Sequence, residues 1–98
     1  MDFIRECIKH VVDVDWDKTT DITPDIKLTF HNAGHILGSS SCHFHIGEGA
    51  HNIVFSGDSK YEKSWLFDAA DVRYPRVETL VLESTYGSPG DFQPSRLE

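Results

Sequence analysis

Between Ile26 and Phe55 the hydrophobic pattern takes a period of two, and this alternation constrains the fold more than any other feature of the chain. Ile26, Leu28 and Phe30 are separated by Lys27 and Thr29, which predicts a strand with its three apolar residues on one face. Ser40 to Ile46 resumes the alternation, with Cys42, Phe44 and Ile46 on one side and His43 and His45 on the other. Gly47-Glu48-Gly49-Ala50 reads as a turn and His51 to Phe55 as the next strand, so these two runs should pair as an antiparallel hairpin. On this pattern His43 and His45 belong to the solvent face of the hairpin.

The flanking segments are less regular. Phe3, Ile4, Cys7, Ile8 and Val11 recur at helical spacing, which predicts a helix from Asp2 to Val12. Val12 to Trp16 fits either a short strand or the exit from that helix, and Asp17 to Asp25, polar and containing Pro24, reads as a loop. A short helix is predicted over Ser64 to Ala70 with Ser64 as its N-cap. Leu80, Val81 and Leu82 are consecutive, so Val77 to Glu83 reads as a buried strand. The glycines and prolines beyond Ser84 point to a loop. The fold class is therefore α/β, a mixed and mostly antiparallel partial sheet with flanking helices.

At 98 residues the chain fits one small domain, and 39% apolar content supports a modest core. The formal charge of -7 disfavours attraction of nucleic acid by the overall field, and no basic stripe offsets it, since Lys60 and Lys63 stand beside Asp58 and Glu62. Cys7 and Cys42 form no disulfide framework and read as two reduced, partly buried thiols of a cytoplasmic protein. No apolar run approaches the ~20 residues that cross a bilayer, so no membrane association is expected.

Two glycine-flanked segments carry candidate chemistry: Asn32-Ala33-Gly34-His35-Ile36-Leu37-Gly38-Ser39 and Phe55-Ser56-Gly57-Asp58-Ser59. Gly34 lets the backbone at His35 approach a ligand closely, and a neutral imidazole is a good zinc ligand. Asp58 follows a strand end, where a rigidly held carboxylate can bridge two cations. Each has a plainer alternative, an ordinary structural histidine and a turn aspartate bonded to its own backbone. Glu83, at another strand end, either orients a ligand or is the first exposed residue after the core. His43 and His45 alone make no complete metal site, His31 is ambiguous, His51 belongs to the turn, and His10 to the polar side or end of the first helix.

Taken with Glu83-Ser84-Thr85-Tyr86-Gly87, these segments resemble the β-CASP RNA-processing nucleases of the metallo-β-lactamase fold, and more narrowly the archaeal homologues of the nuclease subunit of cleavage and polyadenylation specificity factor. The likeness runs from about Asp13 to Pro89. It implies that His35 is a zinc ligand, that Asp58 bridges two zinc ions with a catalytic role, and that Glu83 helps organise the catalytic site. It also implies that residues 1–98 are part of an αββα sandwich. The family's upstream His-x-His-x-Asp-His motif is not in the sequence, nor is the downstream nucleic-acid-clamping domain, and Ser59 replaces the usual aromatic after Gly-Asp.

The resemblance thus leads to the expectation of a piece of a zinc-dependent ribonuclease that cleaves phosphodiester bonds with metal-activated water, its partner RNA. In isolation this chain is expected to bind zinc weakly or not at all and to be inactive. Two other readings stand beside it. One is a non-catalytic interaction module whose exposed sheet edges pair with a second copy or with a missing domain; the other is a metallo-hydrolase of small thiol esters or lactams.

Overall fold

The computed structural model describes residues 2–91. One helix, α1 (Asp2–Lys9), precedes five strands: β1 (Thr20–Thr23), β2 (Ile26–Asn32), β3 (Ser40–Ile46), β4 (His51–Phe55) and β5 (Thr79–Val81). They form a single sheet in the order β1-β2-β3-β4-β5. The first three pairings are antiparallel, and β5 joins β4 in parallel. The sheet is thus mixed and mostly antiparallel, as expected. The several flanking helices are not found, since α1 is the one helix among the described residues.

The central hairpin follows the sequence closely. Cys42 pairs with Phe55 and Ile46 with His51 across the turn. Gly47 and Gly49 both take positive φ there (65° and 79°), a region in which a side chain is strained. β2 runs two residues beyond Phe30 because His31 and Asn32 continue to pair with Ser41 and Ser40.

Three segments depart from expectation. The polar stretch after Asp17 contains β1, which pairs Thr20 with Leu28 and Asp21 with Lys27. Tertiary pairing supplies what this segment's weak strand pattern does not. Ser64 to Ala70 is not helical. The Ser64 hydroxyl accepts the Phe67 amide at 3.0 Å, but the Ser64 amide also donates to the Phe67 carbonyl at 2.9 Å, closing an isolated turn. The apolar run near Leu80 shortens to the three-residue β5, which is exposed at the edge of the sheet, Leu80 by 54%.

The faces of the sheet invert the usual expectation. Registered pairs share a face, so Thr29, His31, Ser41, His43, His45, Asn52 and Val54 lie together on one side. This polar side is the covered one: Thr29, His31, Ser41, His43 and Asn52 are all buried. The segment from Lys60 to Glu78 lies across it, tied down by backbone bonds from Asp71 to Asn32 (2.8 Å) and from Glu78 to Asn52 (3.0 Å). The opposite side, with Ile26, Leu28, Phe30, Phe44 and Ile53, is only half-buried. Among the described residues Ala33 and Val54 are the buried apolar side chains. His43, expected in solvent, is instead 1% exposed. Alternation identifies which residues share a side but not which side is covered.

α1 ends near Lys9, where His10 and Val11 bond back to Cys7 and Ile8 in a tighter turn. Its apolar stripe is present, yet none of its residues is buried.

Candidate functional site

The loop between β2 and β3 is built around Gly34. Its φ is 69°, and a β-carbon there would stand 2.6 Å from the Lys60 carbonyl, 2.7 Å from the Ala70 amide and 2.8 Å from the Asp68 carbonyl. Only glycine fits this contact between backbones. Asn32 Oδ1 accepts the Gly34 amide at 2.9 Å, and the Ser39 hydroxyl accepts the amides of His35 and Ile36, both at 3.1 Å. His35 is thereby presented from a loop braced at both ends.

Asp58 lies in the turn that leaves β4. Ser56 links this turn to the next strand, its amide donating to the Val81 carbonyl at 2.9 Å and its hydroxyl accepting the Glu83 amide at 3.1 Å. Glu83 completes the brace: Oε1 accepts the Ser59 amide at 2.6 Å and Oε2 the Thr85 hydroxyl at 3.1 Å. A carboxylate that collects two donors in this way fixes backbone. Glu83 is therefore a positioning residue for the Asp58 turn.

His35, Asp58 and Glu83 line one cavity of about 230 Å³, together with Ser59, Lys60, Thr85 and Tyr86. A larger groove, about 450 Å³, adjoins it and shares Ser59, Lys60, Glu83, Thr85 and Tyr86. The three residues singled out from sequence thus meet at one rim of the sheet. As a metal centre the rim is incomplete among the described residues. His35 and Asp58 offer one imidazole and one carboxylate, and both oxygens of Glu83 already accept protein donors. Among the described residues, the one trio of potential ligands whose atoms lie within 4.8 Å of one another is Asp17, His31 and Asp71, elsewhere on the sheet.

That second cluster lies on the covered polar side and escapes pattern reading. The ring of His31 stands 6.1 Å from that of His43 and 4.7 Å from that of Tyr74, and His43 is 4.1 Å from His45. The Tyr74 hydroxyl bonds the Ser41 hydroxyl at 2.7 Å. His45 is held between Thr29 (3.1 Å) and Asn52 (2.9 Å). Burial, with His45 adding to it, lowers the pKa of His43, whereas burial raises those of Cys42 and Tyr74. Arg73 grips Asp71 in two side-chain bonds of 3.0 Å and holds its carboxyl down to about 2. The signal in the sequence is a face made of Thr29, His31, His43, His45 and Asn52, too polar to look covered. The remaining histidines are peripheral. His51 starts β4 and bonds Thr79 at 2.8 Å, and His10 is exposed near Glu6.

Comparison with known proteins places the chain beside transcription termination factors. It is 59% identical over 92 residues to the transcription termination factor FttA of Methanosarcina mazei, and 58% identical over 93 residues to that of Methanothermobacter thermautotrophicus. The FttA of Thermococcus kodakarensis is 56% identical over 95 residues. These alignments take in 94–97% of the chain, which spans only 14–15% of the length of these curated relatives. No protein-family model matches the chain.

These relatives correct the family and the function expected from the motifs. They are named for transcription termination, not as β-CASP nucleases or polyadenylation factors. The reading as a zinc ribonuclease fragment, with its hydrolase and metallo-β-lactamase attributes, is accordingly not carried forward. Motif likeness across a few short segments yields here to identity over nearly the whole chain. No helix among the described residues is long and apolar enough to cross a membrane.

Proposed function

We propose that this chain is a segment of a transcription termination factor and that the rim formed by His35, Asp58 and Glu83 is the surface it contributes to that activity. The observation that carries this reading is the identity of 53–59% over 94–97% of the chain to proteins named as such factors. The cavity at the rim supports the choice of this surface. His35, Asp58 and Lys60 line about 230 Å³ between them, a set of residues suited to a polar ligand and not to an apolar one.

In this reading the partner is RNA, met as the transcript at termination. The chain's charge of -7 gives no general attraction for a polyanion, so contact is confined to the rim. His35 and Asp58 are the residues assigned to hold zinc, which would supply the missing positive charge. Two protein ligands do not close a zinc shell, so further donors are needed. Glu83 acts through the Asp58 turn.

Segment exchange tests the proposal. This chain is spliced in place of the matching segment of the Methanothermobacter thermautotrophicus factor, and release of transcripts from paused transcription complexes is measured. Release by the chimera, diminished by Asp58→Asn, supports the reading. A folded chimera that releases no transcript, beside an active parent factor, overturns it; release unaffected by Asp58→Asn overturns the assignment of the rim.

A further inference from the structure

We propose that Asp17, His31 and Asp71 form a binding site for one divalent transition-metal cation, separate from the rim of His35, Asp58 and Glu83. The ligand atoms of the three all lie within 4.8 Å of one another. His31 Nδ1 is 3.4 Å from Asp17 Oδ1 and 3.8 Å from Asp71 Oδ2. One imidazole nitrogen and two carboxylate oxygens suit zinc or manganese, whereas magnesium and calcium favour oxygen alone.

The backbone builds this arrangement from three distant segments. The Asp17 amide donates to the Phe30 carbonyl at 2.7 Å, and the Asp71 amide donates to the Asn32 carbonyl at 2.8 Å. Phe30 and Asn32 are the two neighbours of His31, so each carboxylate is anchored one residue away from the imidazole. Asp17 is also the one non-glycine residue with positive φ among those described, at 63°. Neighbouring Trp16 is fixed by its indole donating to the Ser40 hydroxyl at 2.9 Å.

His31 supplies an independent pointer to a ligand. Its side chain is 8% exposed, yet neither ring nitrogen meets a hydrogen-bond partner. Neither carboxylate oxygen near Nδ1 satisfies hydrogen-bond geometry. Buried polar atoms in this state are costly and rare. A cation between Nδ1 and the two oxygens satisfies the nitrogen and neutralises two facing negative charges with only a small closure of the cluster. Arg73 competes for part of the site. Its Nε and backbone amide donate to Asp71 Oδ1 and its Nη2 to Oδ2, all at 3.0 Å. The Arg73 side chain is 86% exposed and can yield Oδ2 while keeping Oδ1. Asp17, 64% exposed, leaves one side of the cluster open to solvent for ion entry and for water as further ligands. A bound ion would clip the segments of Asp17 and Asp71 to β2.

The test is a titration of the 98-residue chain with zinc chloride alone, followed through the imidazole resonances of each histidine by NMR. Zinc is expected to shift the His31 ring signals saturably with a one-to-one stoichiometry at that residue. Asp17→Asn should weaken this response by about tenfold or more. Asparagine tolerates positive φ, so this variant keeps the backbone. Asp13→Asn, an exposed carboxylate elsewhere, should leave the response unchanged. His31 signals that move with pH but not with millimolar zinc would show an imidazolium–carboxylate pair and overturn the proposal. A response equal in Asp17→Asn and the parent chain overturns it as well. Shifts confined to His35 place the ion at the rim and count against this site.

Discussion

Glu83 accepts the backbone amide of Ser59 at 2.6 Å, so a side chain two residues beyond β5 sets the conformation of the turn that carries Asp58. The bond spans 24 residues of sequence and couples two segments whose juxtaposition neither could establish alone.

The coupling predicts graded effects at residue 83. Glu83→Ala removes the acceptors of both Ser59 and Thr85 and should cost about 1–3 kcal/mol of stability. Glu83→Gln retains one carbonyl oxygen and should cost less. Amide exchange at Ser59 should accelerate strongly in the alanine variant while exchange in the hairpin of β3 and β4 stays slow. Unchanged protection at Ser59 in Glu83→Ala would show that another group holds the turn.

Gly34 should be the least replaceable residue of the His35 loop. Gly34→Ala places a β-carbon against three backbone atoms, the nearest at 2.6 Å, at a φ of 69°. Overpacking and left-handed strain together should cost about 2–5 kcal/mol. Gly38 has a similar φ of 78° but nothing within 4 Å of its β position, so Gly38→Ala should cost about 1–2 kcal/mol from strain alone. Urea denaturation of the two variants measures the difference. Equal losses would mean that the segment of Lys60, Asp68 and Ala70 gives way.

What could be read from the sequence was set by the range of the interactions. The strand β2 and the hairpin of β3 and β4 were legible because alternation and a glycine turn are local, whereas the pairing of β2 with β3 across the loop of Gly34 was not. That His35, Asp58 and Glu83 line one cavity was suggested by the motif resemblance and not by local pattern, since strand ends alone do not say which loops share a rim. The covered side was not legible. Thr29, His31, His43 and Asn52 look solvent-facing, and they are buried only because residues 60–78 return across them. β1 was hidden for the same reason, since Thr20 and Asp21 become a strand by pairing with Leu28 and Lys27.

The two cysteines should react at different rates. Cys42 lies in β3, in register with Phe30 on one side and Phe55 on the other, and burial raises the pKa of its thiol. Since the thiolate is the nucleophile, alkylation is slowed by both access and ionisation. Cys7, on the exposed helix α1, should be alkylated first by iodoacetamide at neutral pH, with Cys42 catching up when urea is added. Mass spectrometry of peptides from timed samples reads both sites. Faster labelling of Cys42 in the native chain would contradict its placement in the sheet.

The buried histidine face predicts a loss of stability in mild acid. Burial, reinforced by His45 and His31 nearby, lowers the His43 pKa in the folded chain below the ordinary value of 6.5. The unfolded chain therefore binds a proton at His43 more readily than the folded one. The stabilising contribution is fully present above about pH 6.5 and declines as pH falls through the unfolded value toward the lower folded one. His43 packs 4.1 Å from His45 and 6.1 Å from His31 between ring centroids, so a charge placed there also meets two further titratable rings. Urea midpoints measured between pH 8 and pH 5 should decline for the parent chain. In His43→Leu, which keeps an apolar group of similar size in a site that is 1% exposed, the decline should be shallower even if stability at pH 8 is reduced. The comparison rests on the slope, so a uniform loss of packing does not imitate the result. A slope identical in the two chains would place the acid sensitivity in other groups.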